Sequence, residues 1–290
     1  MTAEIEILAP MKIGVIGAGV MGRGIAQVSA MAGHEVVLFD INYDVLQSAE
    51  KGVDKNLNKA IQLGKLDEKG KAQTLKNLQY SNSIADVQVD LIIEAIVERL
   101  DVKAKVLADL ADINGEDTIY ASNTSSIPLT QIAANFKYPS QVVGIHYFNP
   151  AHIMKLVEVI RAEQTSEEVL QTALEYVESV NKKCVIAQDA PGFIVNRVAR
   201  HFYVEGLKVL EEDVASHDVI DDLVRASGFK MGPFQLMDLI GVETNLSVTE
   251  SMYELFNYDQ KFRPNRIQQK KAQAGYYGRK SGKGFYDYDK

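Results

Sequence analysis

The chain has a single cysteine, Cys184, in 290 residues. No intrachain disulfide can form, and the composition fits a reducing compartment. It also lacks positive charge in excess: 31 Lys and Arg stand against 39 Asp and Glu, a formal net charge of −8. That argues against nucleic acid as a general partner, because phosphate binding needs a basic surface. No apolar run approaches the roughly 20 residues that cross a bilayer, so no membrane partner is expected. The opening segment MTAEIEILAP has two acids, no basic residue and only a short apolar stretch. It lacks the parts of a secretion signal. Internal repeats and low-complexity segments are absent as well. What remains, 46% hydrophobic and 24% charged residues, is ordinary for a soluble globular protein, and a cytoplasmic location is the expectation.

A chain of this length exceeds a usual single core, so two domains are expected. The first half alternates short apolar runs with helical patterns. Strands are predicted at 12–17 (KIGVIG), 35–40 (EVVLFD), 90–96 (DLIIEAI), 118–121 (TIYA), 142–147 (VVGIHY) and in KCVIAQD from 183. Helices are predicted at 20–32, 99–113 and 128–135. Such alternation implies an α/β fold, a doubly wound, mostly parallel sheet with right-handed crossovers. Residues 44–76 interrupt it with a long polar helical stretch and a second helix. From Phe193 onward the pattern is helical, at 193–213, 218–227, 233–239, 241–257 and 264–274. The domains are therefore read as 11–189, a Rossmann-type dinucleotide domain, and 190–290, an all-α domain. A cleft between two such domains is a common place for a substrate.

Gly17-Ala18-Gly19-Val20-Met21-Gly22 matches GxGxxG, a pattern that is weak alone. Here it directly follows one strand and opens a helix. Gly17 permits the tight turn, Gly19 lets a pyrophosphate approach the backbone, and Gly22 lets helix and strand pack closely. The phosphates would then face the free N–H groups and positive dipole of the helix N-terminus. Asp40 ends the second strand, placed to bind the adenosine ribose hydroxyls, and neither Ile41 nor Asn42 supplies an arginine for a ribose phosphate. NAD is favoured over NADP.

Two segments put polar side chains at strand ends: Ser122-Asn123-Thr124-Ser125-Ser126 and His146-Tyr147-Phe148-Asn149-Pro150. A lone His146 would read as a satisfied buried histidine. Glu158, however, is an isolated acid within the apolar run Leu156–Ile160 and requires a partner. Oxidising an alcohol needs a base for the hydroxyl proton, and an imidazole steadied by a carboxylate suits that task near neutral pH. No metal enters this reading. Within 51–76, seven lysines face three acids (Asp54, Asp67, Glu68), and Lys51, Lys55 and Lys59 share one helix face. This is either a solvated face or a patch for an anionic, phosphate-bearing substrate.

The strings IGAGVMGRGIAQ (16–27), IIEAIVE (92–98), ASNTSS (121–126), HYFNPAHIMKLVEVI (146–160), DAPGFIVNRV (189–198), GPFQLMDLIG (232–241) and SGKGFYDY (281–288) together resemble the L-3-hydroxyacyl-CoA dehydrogenase family, in its short, single-function 3-hydroxybutyryl-CoA form. The resemblance covers about residues 11–288. It implies His146 as catalytic base with Glu158 as its partner, and Ser125 and Asn196 as residues that hold the substrate's reacting oxygen or thioester. On the cofactor side it implies Gly17, Gly19, Gly22, Asp40, Glu94, Lys103 and Asn149, the last beside the nicotinamide. It further implies an acyl-CoA substrate and a homodimer. Relatives bind CoA through a serine and a lysine where this chain has Asn56 and Leu63, with Lys55, Lys59 and Lys65 nearby. The acyl chain stays open between 3-hydroxybutyryl and the 3-hydroxyadipyl of aromatic degradation. A CoA-independent hydroxy acid dehydrogenase and a non-catalytic, crystallin-like NAD-binding protein are the rivals.

Overall fold

The computed structural model describes residues 9–288; residues 1–8 of MTAEIEILAP, read above as no secretion signal, lie outside the described residues. The chain divides into two compact units that meet in sequence between Ala190 and Pro191.

The first unit is one eight-stranded sheet in the order β3-β2-β1-β4-β5-β6-β7-β8. Its strands are β1 (Lys12–Ile16), β2 (Glu35–Phe39), β3 (Leu78–Ser81), β4 (Leu91–Glu94), β5 (Ile119–Ser122), β6 (Val142–Tyr147), β7 (Leu156–Arg161) and β8 (Lys183–Gln188). Neighbours from β3 through β6 are parallel; β6 and β7 pair antiparallel, and β7 and β8 parallel. The helices are α1 (Val20–Met31), α2 (Tyr43–Gln62), α3 (Glu68–Lys76), α4 (Leu100–Asn114), α5 (Leu129–Ala134) and α6 (Glu167–Ser179).

One sheet face, with Ile13, Val15, Leu38, Ile93, Ala121, Ile145 and Val159, packs into a core with Ile25, Leu46 and Tyr176 of α1, α2 and α6. Because side chains alternate along a strand, the opposite face carries the register partners Glu94 and Ser122, then His146 two residues beyond Ser122's partner Gly144. Across the antiparallel pair His146 faces Glu158. Four polar side chains thus share one face.

Two elements differ from the sequence reading. The edge strand β3 and the helix α6 were not anticipated. β3 is only four residues long, too short for a periodicity. α6 does carry start signals: Ser166 caps Val169 N–H, and Glu167 and Glu168 stand in the first turn, where they favour the positive dipole end. The strand predicted over 90–96 stops at Glu94. Its own carboxylate accepts Ile96 N–H at 2.7 Å and bends the chain out of the sheet.

The second unit comprises α7 (Val195–Glu211), α8 (His217–Ala226), α9 (Pro233–Ile240), α10 (Val242–Leu255) and α11 (Arg266–Gln273). Tyr203, Leu207, Phe234, Met237, Val242 and Phe285 form its core. Two buried acids organise it. Asp221 accepts Phe234 and Gln235 N–H at the start of α9 and the Tyr286 hydroxyl. Asp238 accepts Phe285 and Tyr286 N–H, at 2.9 Å each, and the Tyr288 hydroxyl. The string GKGFYDY thereby becomes legible. A Cβ on Gly284 would fall 2.1 Å from Asp238 Oδ1, so only glycine lets the carboxylate reach the backbone.

Asp238→Ala strands the buried Phe285 N–H, at a cost on the order of 1–3 kcal/mol, and the part-buried Tyr286 N–H at less. A lower Tm by calorimetry is expected, with fluorescence of the C-terminal tyrosines reporting release of residues 284–288.

Candidate active site

The glycine loop is built by backbone approach. Gly17 adopts φ +98°, a left-handed conformation open to glycine, and donates its N–H to Phe39 O at 2.8 Å. A Cβ on Gly22 would lie 1.7 Å from Gly17 O, whereas one on Gly19 would meet no protein atom within 4 Å. The second position therefore faces open space and the third faces the strand, as different roles for the two glycines require. α1 starts at Val20 with no side-chain cap and no acid in its first turn, so its leading N–H groups are presented to an anion rather than to a protein group. Asp40 is half-buried; its Oδ2 accepts Ala18 N–H and its Oδ1 accepts Asn42 N–H, both at 2.9 Å. These features fit a dinucleotide: an uncapped helix end, a Cβ-free approach and an acid at the second strand end.

The ends of β4 and β5 are joined by a buried charge network. Lys103 occupies the inward stripe of α4 with Leu107, Leu110 and Ala111, where the pattern calls for an apolar residue. Its ammonium is 2.7 Å from Glu94 and 3.1 Å from Glu98. Glu94 also accepts the Ser122 hydroxyl at 2.7 Å. Glu94 is 0% exposed and Lys103 1%, so neither offers the surface to a ligand that the sequence reading gave them. Their placement is a foundation under the strand ends.

The exposed member is Glu98, which that reading did not single out. Its Oε1 accepts the Thr124 hydroxyl, the Ser125 N–H at 3.1 Å and both the N–H and hydroxyl of Ser126. Burial pushes its carboxyl up, but the Lys103 ammonium and the hydrogen bonds from Thr124, Lys103 and Ser126 outweigh this and hold it below the ordinary 4.5. Its side chain keeps 38% of its surface. An acid four residues after Glu94, on the same string IIEAIVE, was the available signal. Ser125 is half-buried in the loop that Glu98 clamps, and no described group hydrogen-bonds its hydroxyl. It is not a helix cap, since Ile127 N–H turns to Thr124.

His146 and Glu158 meet across β6 and β7, with Nδ1 2.8 Å from Oε2. They are 5% and 0% exposed. Phe148 packs beside the imidazole at 4.7 Å between centroids. Asn123, another group the sequence reading passed over, accepts Tyr147 N–H at 2.8 Å and ties the serine loop to the end of β6. Asn149 is exposed just after β6. Asn196 stands in the first turn of α7 in the second unit, half-buried. On α2, Lys55 and Lys59 are exposed. Asn56 is not presented to a ligand in the same way, since its amide donates to Gln27 of α1 at 3.0 Å. Lys71 pairs with Asp54 at 2.6 Å, so part of the lysine excess is already balanced.

Comparison with known proteins gives a consistent picture. Residues 12–190 match the family model described as "3-hydroxyacyl-CoA dehydrogenase, NAD binding domain", and residues 192–288 match its C-terminal domain. The chain is 45% identical over 278 residues to a 3-hydroxyadipyl-CoA dehydrogenase of Escherichia coli, covering 95% of this chain but 58% of that protein. It is 39% identical to a 3-hydroxybutyryl-CoA dehydrogenase of Clostridioides difficile, over 97% of this chain and 100% of the other. A crystal structure of (S)-3-hydroxybutyryl-CoA dehydrogenase from Ralstonia eutropha superposes with TM-score 0.92 at 38% identity, covering 97% of this chain and all of that one.

Two outcomes are expected here. Gly22→Ala forces its methyl against the Gly17 carbonyl, an overpacking worth about 1–3 kcal/mol, and should weaken NADH binding at least tenfold by fluorescence titration. Glu98→Gln tests the charge network through pH. A carboxyl held below its unfolded value stabilises the protein above about pH 4.5 and loses that contribution as the pH falls through the folded value. Between pH 7 and 4 the Tm of the wild type should therefore fall further than that of Glu98→Gln.

Proposed function

This chain belongs to the 3-hydroxyacyl-CoA dehydrogenase family and is an NAD-dependent oxidoreductase; we propose that it oxidises (S)-3-hydroxyacyl-CoA to 3-oxoacyl-CoA, reversibly, with His146 as the base. The single observation that carries the assignment is the buried His146–Glu158 contact at 2.8 Å, near the end of β6 in the same sheet that carries the glycine loop.

The roles follow from the chemistry of each group. Glu158 accepts Nδ1–H and so fixes the tautomer in which Nε2 holds the lone pair. Nε2 then takes the hydroxyl proton, and Glu158 steadies the imidazolium that results. NAD, when bound, supplies the acceptor for the hydride that leaves the carbinol carbon. The uncapped start of α1 and Gly19 hold its pyrophosphate, Asp40 its adenosine ribose, and Asn149 lies on the nicotinamide side. Ser125, on its clamped loop, and Asn196, assigned through the family motif, hold the substrate's oxygen or thioester. Glu94 and Lys103 act from beneath, through Glu98 and Ser122. Lys55 and Lys59 of α2 supply positive charge for the CoA phosphates, with Asn56 beside them on the same helix; the lysines favour a CoA thioester over a free hydroxy acid. The presence of Ser125, His146, Glu158 and Asn196 together favours an enzyme over a non-catalytic NAD-binding protein.

The same reading includes a homodimer through the helical unit, supported by the exposed apolar side chains Val198, Leu223 and Phe229. It also includes a cytoplasmic location, in keeping with the lone Cys184. No helix among the described residues is long and apolar enough to cross a membrane.

General base catalysis contributes roughly 10²–10⁴-fold. His146→Gln should lower kcat on 3-hydroxybutyryl-CoA by that order while leaving the NADH dissociation constant nearly unchanged; a variant that kept more than about a tenth of the wild-type rate would refute the base assignment. Glu158→Gln should lower kcat as well and move the pH-rate profile, because its amide cannot steady an imidazolium.

A further inference from the structure

A positive cluster with no acid of its own stands beside α1 in the first unit. Arg23, one turn into α1, is half-buried. Arg99, Arg161 and Arg225 each pair with an acid; among the described residues the Arg23 guanidinium has no such partner. It lies instead across the backbone of α2. A Cβ on Gly52 would fall 2.9 Å from its Nη1, 3.1 Å from Cζ and 3.3 Å from Cδ. Glycine inside a helix is less stable than alanine, and here it leaves the space that the guanidinium occupies.

Two more nitrogens belong to the same field. Lys182, in the turn before β8, donates to Ala151 O and Met154 O at 2.7 Å each. It thereby holds the loop after β6, but both acceptors are neutral and leave its charge uncompensated. That loop abuts α1 at Gly24, where a Cβ would lie 3.1 Å from Ala151 Cβ and 3.6 Å from His152 N. His152 is half-buried. Burial, together with the positive charges of Lys182 and Arg23, holds its imidazole below the ordinary 6.5, and no carboxylate is among the charges it feels. A neutral imidazole still offers an N–H donor.

Like charges gathered without a counter-ion raise the free energy of the empty protein, and an anion from outside removes that cost. The place of the cluster selects the anion. Lys55 and Asn56 are the i+3 and i+4 neighbours of Gly52 on α2, so the guanidinium lies at the rim of the stripe that carries the exposed Lys55 and Lys59. Asn56 ties that stripe to Gln27, four residues after Arg23 on α1. We propose that Arg23 grips a phosphate group of the substrate's CoA moiety through its planar fork, with His152 as a second donor. The proposal rests on the reading of the substrate as an acyl-CoA thioester, and it places one of the phosphate contacts on α1 rather than on the lysine helix.

The test is steady-state kinetics of the full chain on 3-hydroxybutyryl-CoA and on the N-acetylcysteamine thioester of 3-hydroxybutyrate, which has the same acyl group and no phosphate. In wild type, KM should be about tenfold lower, or more, for the CoA thioester. Arg23→Gln should raise that KM by about tenfold, the value of one charge-assisted contact, and leave kcat and the KM for the phosphate-free thioester unchanged. Gly52→Ala displaces the guanidinium but keeps its charge, and should move the same KM in the same direction. Equal losses on both thioesters in Arg23→Gln, or no change on either, would overturn the proposal. Weaker NADH binding with an unchanged KM for the CoA thioester would overturn it too, because the contact would then belong to the dinucleotide. A wild type with equal KM for both thioesters removes the phosphate site while the functional reading stands, a result that needs no variant to fold. A wild type that turns over neither thioester removes the functional reading, and the phosphate site with it.

Discussion

The site rests on one buried lysine. Lys103 points from α4 into the space beneath the ends of β4 and β5, where water cannot solvate it, and two carboxylates meet it there. Removing water from an ammonium costs several kcal/mol, which only close, well-oriented acids offset. That cost makes the arrangement specific: Glu94 and Glu98 must both be where they are, or a charge is left bare. Glu98 in turn gathers the donors of residues 124–126 on a single oxygen. The loop that carries Ser125 therefore inherits its position from a charge several ångströms below it.

The second constraint is topological. In a wholly parallel sheet, the residue beside His146 would come from a strand running the same way, with its end loop at the same level. Here β7 reverses direction and lies antiparallel to β6, so the residue opposite His146 is in mid-strand. Mid-strand backbone is held on both sides, by β6 and by β8. Glu158 thus belongs to the most rigid part of the fold and meets a histidine near a strand end. A carboxylate on rigid backbone restricts the imidazole more tightly than one on a loop would.

Much of this was legible in the sequence, for identifiable reasons. Buried strands read as continuous apolar runs, and every strand but β3 was visible that way. Glycines that face a backbone or open space occupied the spacing that the turn demands. Glu158 was visible because an acid inside an apolar strand has a cost that must be met. Other features were hidden because their signals are relational. Glu94 and Glu98 are indistinguishable as letters; only burial separates the foundation from the clamp. Lys103 looks like a soluble helix residue until Leu107, Leu110 and Ala111 are seen to share its face. Asn123 acts through a partner 24 residues away, a separation that no local pattern conveys.

Asp40 holds the glycine loop as well as facing its outer side. Its two oxygens are already engaged by the backbone of Ala18 and Asn42, so the carboxylate is fixed before any nucleotide arrives and cannot swing aside to admit a bulkier, doubly charged group. A switch of coenzyme preference would therefore not be a one-letter change in this protein. Replacing Asp40 with a basic residue would release the turn that shapes the pyrophosphate cradle, so new tethers for residues 18 and 42 would have to arise together with the new specificity.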